Sequence, residues 1–240
     1  NFAKNSEVMA VVKANAYGHG LIPVSKAARQ GGATWLGTAL LEEAIELRNS
    51  GDKGRILTWL GSPSDKWQEC IELEIDVSVC SIEIASQIIN ASKKSNKQAK
   101  VHIKVDTGLG RNGVMPNDLE DLVNLLEEAK SSGLIEVVAV WTHFSLADAP
   151  SSPTIKKQLE VLDESFKYVE SRGFKNLMKH AANSAATLTS PHAHFDIVRP
   201  GIAVYGITPG GELGKANQYG LKPAMSLKAQ VVLVKDVPAG

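Results

Sequence analysis

Four basic or titratable side chains stand at the ends of otherwise apolar stretches in this 240-residue chain. Lys13 follows Met9-Ala-Val-Val, Lys104 closes Val101-His-Ile, His143 follows the run from Val137 through Trp141, and Arg199 follows Ile197-Val. Charged groups at such positions are costly unless they are paired or used. A desolvated lysine of lowered pKa is what Schiff-base chemistry requires, which makes Lys13 a candidate for covalent carbonyl capture. The same residue also fits a lysine snorkelling out of a strand end, and residue type alone leaves both readings open. Tyr17 and the glycines of Tyr17-Gly-His-Gly20 are placed to contact a phosphate or carbonyl next to it.

Gly108-Leu-Gly-Arg-Asn-Gly113 spells G-x-G-x-x-G after a strand-like run, a pattern that can cradle a dinucleotide. Three features argue otherwise: the motif is mid-chain, Arg111 sits inside it, and the next strand ends at His143 without a ribose-binding acid. The glycines fit better as a tight turn that presents Arg111, whose planar fork suits a carboxylate. His192 and His194 lie in a turn-rich stretch and read as loop residues, and no metal site is expected.

The elements that must hold these residues are legible in the apolar pattern. Strand-sized runs occur at Met9–Ala14, Trp35–Leu40, Arg55–Leu60, Asp76–Cys80, Val101–Asp106, Val137–His143, Met178–Asn183 and Ile197–Gly206. Most are continuous rather than alternating, as in strands covered on both faces. Between them, sets such as Ile155, Leu159, Leu162, Phe166 and Val169 step by three or four along a helix face. Ser152-Pro153 and Gly173 bracket that helix with start and stop signals. Eight strands alternating with helices predict a parallel α/β fold of the (β/α)8 TIM-barrel type, with an open doubly wound sheet as the competitor. Catalytic groups in such barrels gather at the C-terminal strand ends, where Lys13, Lys104, His143 and Arg199 fall. After Gly206 the texture becomes turn-rich, and Ser226–Val234 reads as a strand opening a second, β-rich unit. The expected organisation is a barrel over 1–206, then a linker and the truncated start of a C-terminal β domain over 207–240.

Composition narrows the function. Lys+Arg and Asp+Glu are 26 each, so the balanced charge gives no footing for nucleic-acid or anionic-membrane binding. No apolar run approaches a membrane span. Two cysteines, Cys70 and Cys80, in apolar contexts read as reduced thiols of a cytoplasmic protein.

Val11-Val-Lys-Ala-Asn-Ala-Tyr-Gly-His-Gly20 resembles the pyridoxal-phosphate attachment motif of bacterial alanine racemase. His102–Arg111, Thr142-His-Phe144, Ala182-Asn-Ser-Ala-Ala186 and Val198–Gly206 match that family in the same order. The resemblance implies that Lys13 carries pyridoxal 5'-phosphate and acts as one catalytic base. Tyr17, Ser184 and the backbone of Gly201 and Ile202 would bind the phosphate, with Asn183 beside them. Arg199 would face the pyridine nitrogen, His143 and Leu57 would lie by the ring, and Arg111 would hold the substrate carboxylate. Lys104 would be the lysine that is carbamylated in many relatives. The implied activity is interconversion of L- and D-alanine for peptidoglycan by a cytoplasmic homodimer with shared active sites. In that family a tyrosine from the partner subunit supplies the second base; no matching segment occurs here, so the chain is expected to be truncated and inactive alone. The alternatives are a racemase for serine or another small amino acid, and a non-catalytic pyridoxal-phosphate-binding barrel. A basic amino-acid decarboxylase is disfavoured by Arg199, because those families place an acid there.

Overall fold

Eight short strands pair side by side, every neighbouring pair parallel: β1 (Glu7–Val11), β2 (Trp35–Thr38), β3 (Arg55–Thr58), β4 (Asp76–Val79), β5 (Ala99–Lys104), β6 (Ile135–Trp141), β7 (Met178–His180) and β8 (Ile197–Val198). Their spatial order, β7-β6-β5-β4-β3-β2-β1-β8, follows the sequence except that β8 returns to lie against β1. Glu7 and Val8 pair with Ile197 and Val198, while Met9 to Val11 pair with Trp35 to Gly37. Single backbone hydrogen bonds, Asp196 N–H to Lys179 O (3.0 Å) and Arg199 N–H to Ala182 O (2.8 Å), bridge the seam between β7 and β8. The result is a nearly closed (β/α)8 barrel. The computed structural model describes residues 2–62, 66–149 and 151–240.

The outer layer comprises α2 (Leu21–Gln30), α3 (Leu41–Asn49), α4 (Trp67–Glu72), α5 (Ile82–Ser95), α6 (Leu119–Ser131), α7 (Thr154–Ser171) and α8 (Ser184–Thr189). The helical stripes pack inward as their spacing dictates: Leu122, Val123 and Leu126 of α6 share one buried cluster with Ile103 and Val137. A second, smaller cluster fills the barrel interior: Met9, Trp35, Leu57, Val138, Ala139 and Ile197. Between Val101/Val137 and His102/Ala139 the pairing of β5 and β6 jumps by one residue, leaving Val138 unpaired.

Three expectations are corrected. The first strand stops at Val11, and Lys13–Tyr17 (α1) form a single left-handed turn in which Ala14 to Tyr17 all have φ of 52–55°. The eighth stops at Val198 rather than Gly206, because Pro200 has no N–H for a ladder, and Ile202–Tyr205 wind into a 3-10 turn. Residues 226–234 form no strand. Leu227, Val232 and Val234 are exposed, with no neighbouring strand among the described residues.

Candidate functional site

Strand residues two apart share a face, so the interior cluster fixes which side chains appear above it. Val11 and Lys13 follow Met9, Trp59 follows Leu57, Trp141 follows Ala139, and Arg199 follows Ile197. All of them, with Lys104, line a cleft of about 340 Å³ at the C-terminal strand ends. Loops complete the wall with Tyr17, Arg111, His143, Asn183, Ser184, Gly201 and Ile202. The fold thus brings together every expected site residue except Leu57, which is fully buried in the barrel interior. Trp59, two residues further along the chain and just past the end of β3, lines the cleft instead.

Local structure explains how these side chains are held. The left-handed turn after β1 costs roughly 1–2 kcal/mol per non-glycine residue. It is tied down by Asn15, whose Oδ1 accepts from Leu21 N–H (2.8 Å) and whose N–H donates to Glu43 Oε1 (3.2 Å). Tyr17 lies against Tyr205, with ring centroids 4.9 Å apart, and Tyr205 donates its hydroxyl to Val11 O (3.1 Å). Ser184 Oγ accepts from Gly201 N–H (2.8 Å) and Ala203 N–H (3.3 Å), while Asn183 Oδ1 caps α8 at Ala186 N–H (3.1 Å). A Cβ on Gly201 would overlap the Tyr17 hydroxyl, so the small cup between Tyr17, Ser184 and Gly201 requires glycine.

The G-x-G-x-x-G segment closes around a protein carboxylate. Asp106 Oδ1 accepts from the N–H groups of Gly108, Leu109 and Gly110 at 2.9–3.1 Å. All three motif glycines have positive φ, and a Cβ on Gly113 would run into the backbone of Asp106. The turn carries Arg111 to the cleft.

The electrostatics are one-sided. Arg199 is buried, donating to Thr142 O (2.6 Å), Ala181 O (3.0 Å) and His180 Nδ1 (2.9 Å), with no carboxylate in contact among the described residues. Burial lowers its pKa to about 9, which leaves it charged at neutral pH. Lys104 is buried with its Nζ 4.7 Å from the Trp141 ring centroid. Burial first, then Arg111 and Arg199, bring its pKa down to about 8. Burial and the same cations, joined by Lys104 and Lys13, push His143 down to about 3, so it is neutral. Lys13, Lys104, Arg111 and Arg199 thus face a cleft whose one lining acid among the described residues is Asp148, on its exposed rim. Such a site recruits anions, phosphate and carboxylate among them.

The model of the alanine racemase N-terminal domain matches residues 1–209. The chain belongs to that family. Over 99% of its length it is 46% identical to an alanine racemase of Streptomyces coelicolor and 44% identical to one of Frankia casuarinae. It superposes on the crystal structure of alanine racemase from Streptomyces coelicolor with a TM-score of 0.96 over 99% of the chain, and on that from Streptomyces lavendulae with 0.92 over 93%. It spans about 62% of the length of these curated relatives.

Within this alanine racemase N-terminal domain, sequence reasoning missed Trp59, Trp141 and Asp148 as cleft residues. The two tryptophans were within reach, since both sit two residues beyond an interior apolar position. Among the described residues no group of three His, Cys, Asp or Glu is arranged to hold a metal, and no helix is long and apolar enough to cross a membrane.

Proposed function

We propose that this chain is the cofactor-binding barrel of a pyridoxal-phosphate racemase that interconverts L- and D-alanine, supplying D-alanine for peptidoglycan. The observation that carries the reading is the meeting of Lys13 and Arg199 in one cationic cleft: a lysine for carbonyl capture and a donor that stays charged at neutral pH. When bound, pyridoxal phosphate supplies the electron sink for removing the substrate's α-proton.

Lys13 would hold the cofactor through its aldehyde carbon, and its amine is placed to take or return the substrate's α-proton on its own face. The Ser184 oxygen already accepts two backbone N–H groups, so its own proton remains to donate to a phosphate oxygen; the Tyr17 hydroxyl stands over the same cup. The backbone of Gly201 and Ile202 completes that cup, with Asn183 beside it. Arg199, whose N–H groups only donate, would face the cofactor's pyridine nitrogen and disfavour a proton on it. His143, neutral in the cleft, would border the cofactor's ring without adding charge. Arg111 orients the substrate carboxylate, and Lys104, converted to a carbamate, pairs with Arg111 instead of repelling it. Racemisation also needs an acid–base on the opposite face of the carbon. On this reading it is a tyrosine from the partner subunit of a cytoplasmic homodimer, outside residues 1–240. Residues 1–206 form the barrel, and 207–240 lead into a β domain.

Incubation with pyridoxal phosphate followed by borohydride should leave a stable adduct on Lys13 in peptide mass spectra. An adduct confined to another lysine overturns the reading.

A further inference from the structure

Beneath the cleft, a file of polar side chains crosses the barrel interior. Arg199 Nη1 lies 2.9 Å from His180 Nδ1, His180 Nε2 is 3.0 Å from His102 Nδ1, and His102 Nε2 is 3.1 Å from Asp76 Oδ2. Asp76 Oδ2 in turn accepts from Arg55 Nη2 at 2.6 Å. His102 and His180 are fully buried and Asp76 nearly so, whereas the Arg55 side chain is 41% exposed at the opposite mouth of the barrel. Two tryptophans wall the file. Trp141 stacks on His180 (13° between planes) and lies under Arg199, while Trp35 meets His102 edge-on and lies under Arg55.

Proton bookkeeping along this file has one solution with both rings neutral. A guanidinium only donates, so His180 Nδ1 must accept and its N–H is on Nε2. That N–H points at His102 Nδ1, which must therefore accept, leaving the His102 proton on Nε2, aimed at the Asp76 carboxylate. Every donor points from Arg199 towards Asp76. A proton added to either ring would set two donors face to face on the Arg199 side. Burial favours the neutral forms, pushing His180 well below and His102 below the usual histidine range, the latter partly offset by Asp76.

We propose that Asp76 is the remote counter-ion of Arg199, connected to it through His102 and His180 locked as Nε2–H tautomers, and that these three are positioning residues for the guanidinium. Arg55 anchors the far end through its ion pair with Asp76. The file gives Arg199 an acceptor that cannot rotate away, while keeping any carboxylate out of direct contact with it. A carboxylate in contact would cancel the charge presented to the cleft. Two neutral imidazoles pass on the orientation and leave the charge in place. The consequence for catalysis rests on the reading of Lys13 and Arg199 given above; the tautomer assignment does not.

The test uses the complete polypeptide labelled with 15N-histidine, before cofactor loading. Two-bond proton–nitrogen correlations should show His102 and His180 neutral, with pyrrole-type Nε2 and pyridine-type Nδ1, unchanged between about pH 6 and 8, where an ordinary histidine titrates. An Nδ1–H tautomer or an imidazolium at either ring overturns the proposal. His180→Gln can still accept from Arg199 and donate to His102, whereas His180→Met can do neither. In the pyridoxal-phosphate-loaded protein, the absorbance titration should be retained by His180→Gln. In His180→Met it should move by about half a unit or more to higher pH, because a released guanidinium disfavours nearby protons less. Identical titrations for His180→Met and wild type overturn the positioning role. If no adduct forms on Lys13, the cofactor reading fails separately, and the unloaded spectra still decide the relay.

Discussion

Lys104 is the cleft lysine whose lowered pKa brings its neutral form within reach of physiological pH. A lysine in water titrates near 10.4 and is about 0.04% neutral at pH 7, while one brought down to about 8 is roughly 10% neutral. Carbamylation consumes the neutral amine, so Lys104 is primed for it over every solvated lysine on the surface. With 13C-bicarbonate, one carbamate resonance should appear, grow between about pH 7 and 8, and vanish in Lys104→Arg. Its persistence in that variant would assign it elsewhere. Stability follows the same shift. From pH 8 to about 10.5 the unfolded chain binds the proton that the folded, uncarbamylated lysine has lost, so stability rises with pH across that window. The sequence located Lys104 at a strand end, but its burial could not be read there. Burial depends on Trp141 from the next strand, on which the lysine rests.

At the scale of elements, two segments looked like one thing and folded as another. The glycine triad at 108–113 spells a phosphate loop, yet its N–H groups converge on Asp106, a residue of the chain itself. The pattern announced positive φ correctly and could not say which acceptor would fill the nest. Asp106→Ala should strip three amides of their acceptor and lower stability by about 1–3 kcal/mol. The denaturant midpoint should fall with the slope unchanged; an unchanged midpoint would leave Asp106 without that role. The segment after Lys13 was harder still. Ala14-Asn-Ala-Tyr17 contains no glycine, and nothing in its composition announces a left-handed turn. The turn exists because Glu43 and Tyr205, from elsewhere in the fold, hold Asn15 and Tyr17 in place.

The whole barrel was more legible than its parts, because eight continuously apolar runs separated by helical stripes leave few other arrangements. The strand ends were not, since a run of apolar residues continues past the last pairable N–H, as at Val198-Arg-Pro200. Closure is unequal around the barrel. β5 and β6 pair over six residues, whereas β7 and β8 meet through two backbone bonds and the Asp196 carboxylate, which accepts from Lys179 N–H at 2.7 Å. Amides flanking that seam should therefore exchange with deuterium before those of β2 to β5; equal protection would mean the barrel opens only as a unit. The same connectivity has a cost during synthesis. β1 hydrogen-bonds to β2 on one side and to β8 on the other, and Ser6 reaches Phe195 across 189 residues. At about 5–20 residues per second the ribosome needs roughly 10–40 seconds to deliver that partner. Throughout that interval the nascent chain carries a strand with one edge bare, beside the lysine on which the chemistry would depend. Protection of that edge by a chaperone or by transient pairing is a requirement of this topology before any cofactor arrives.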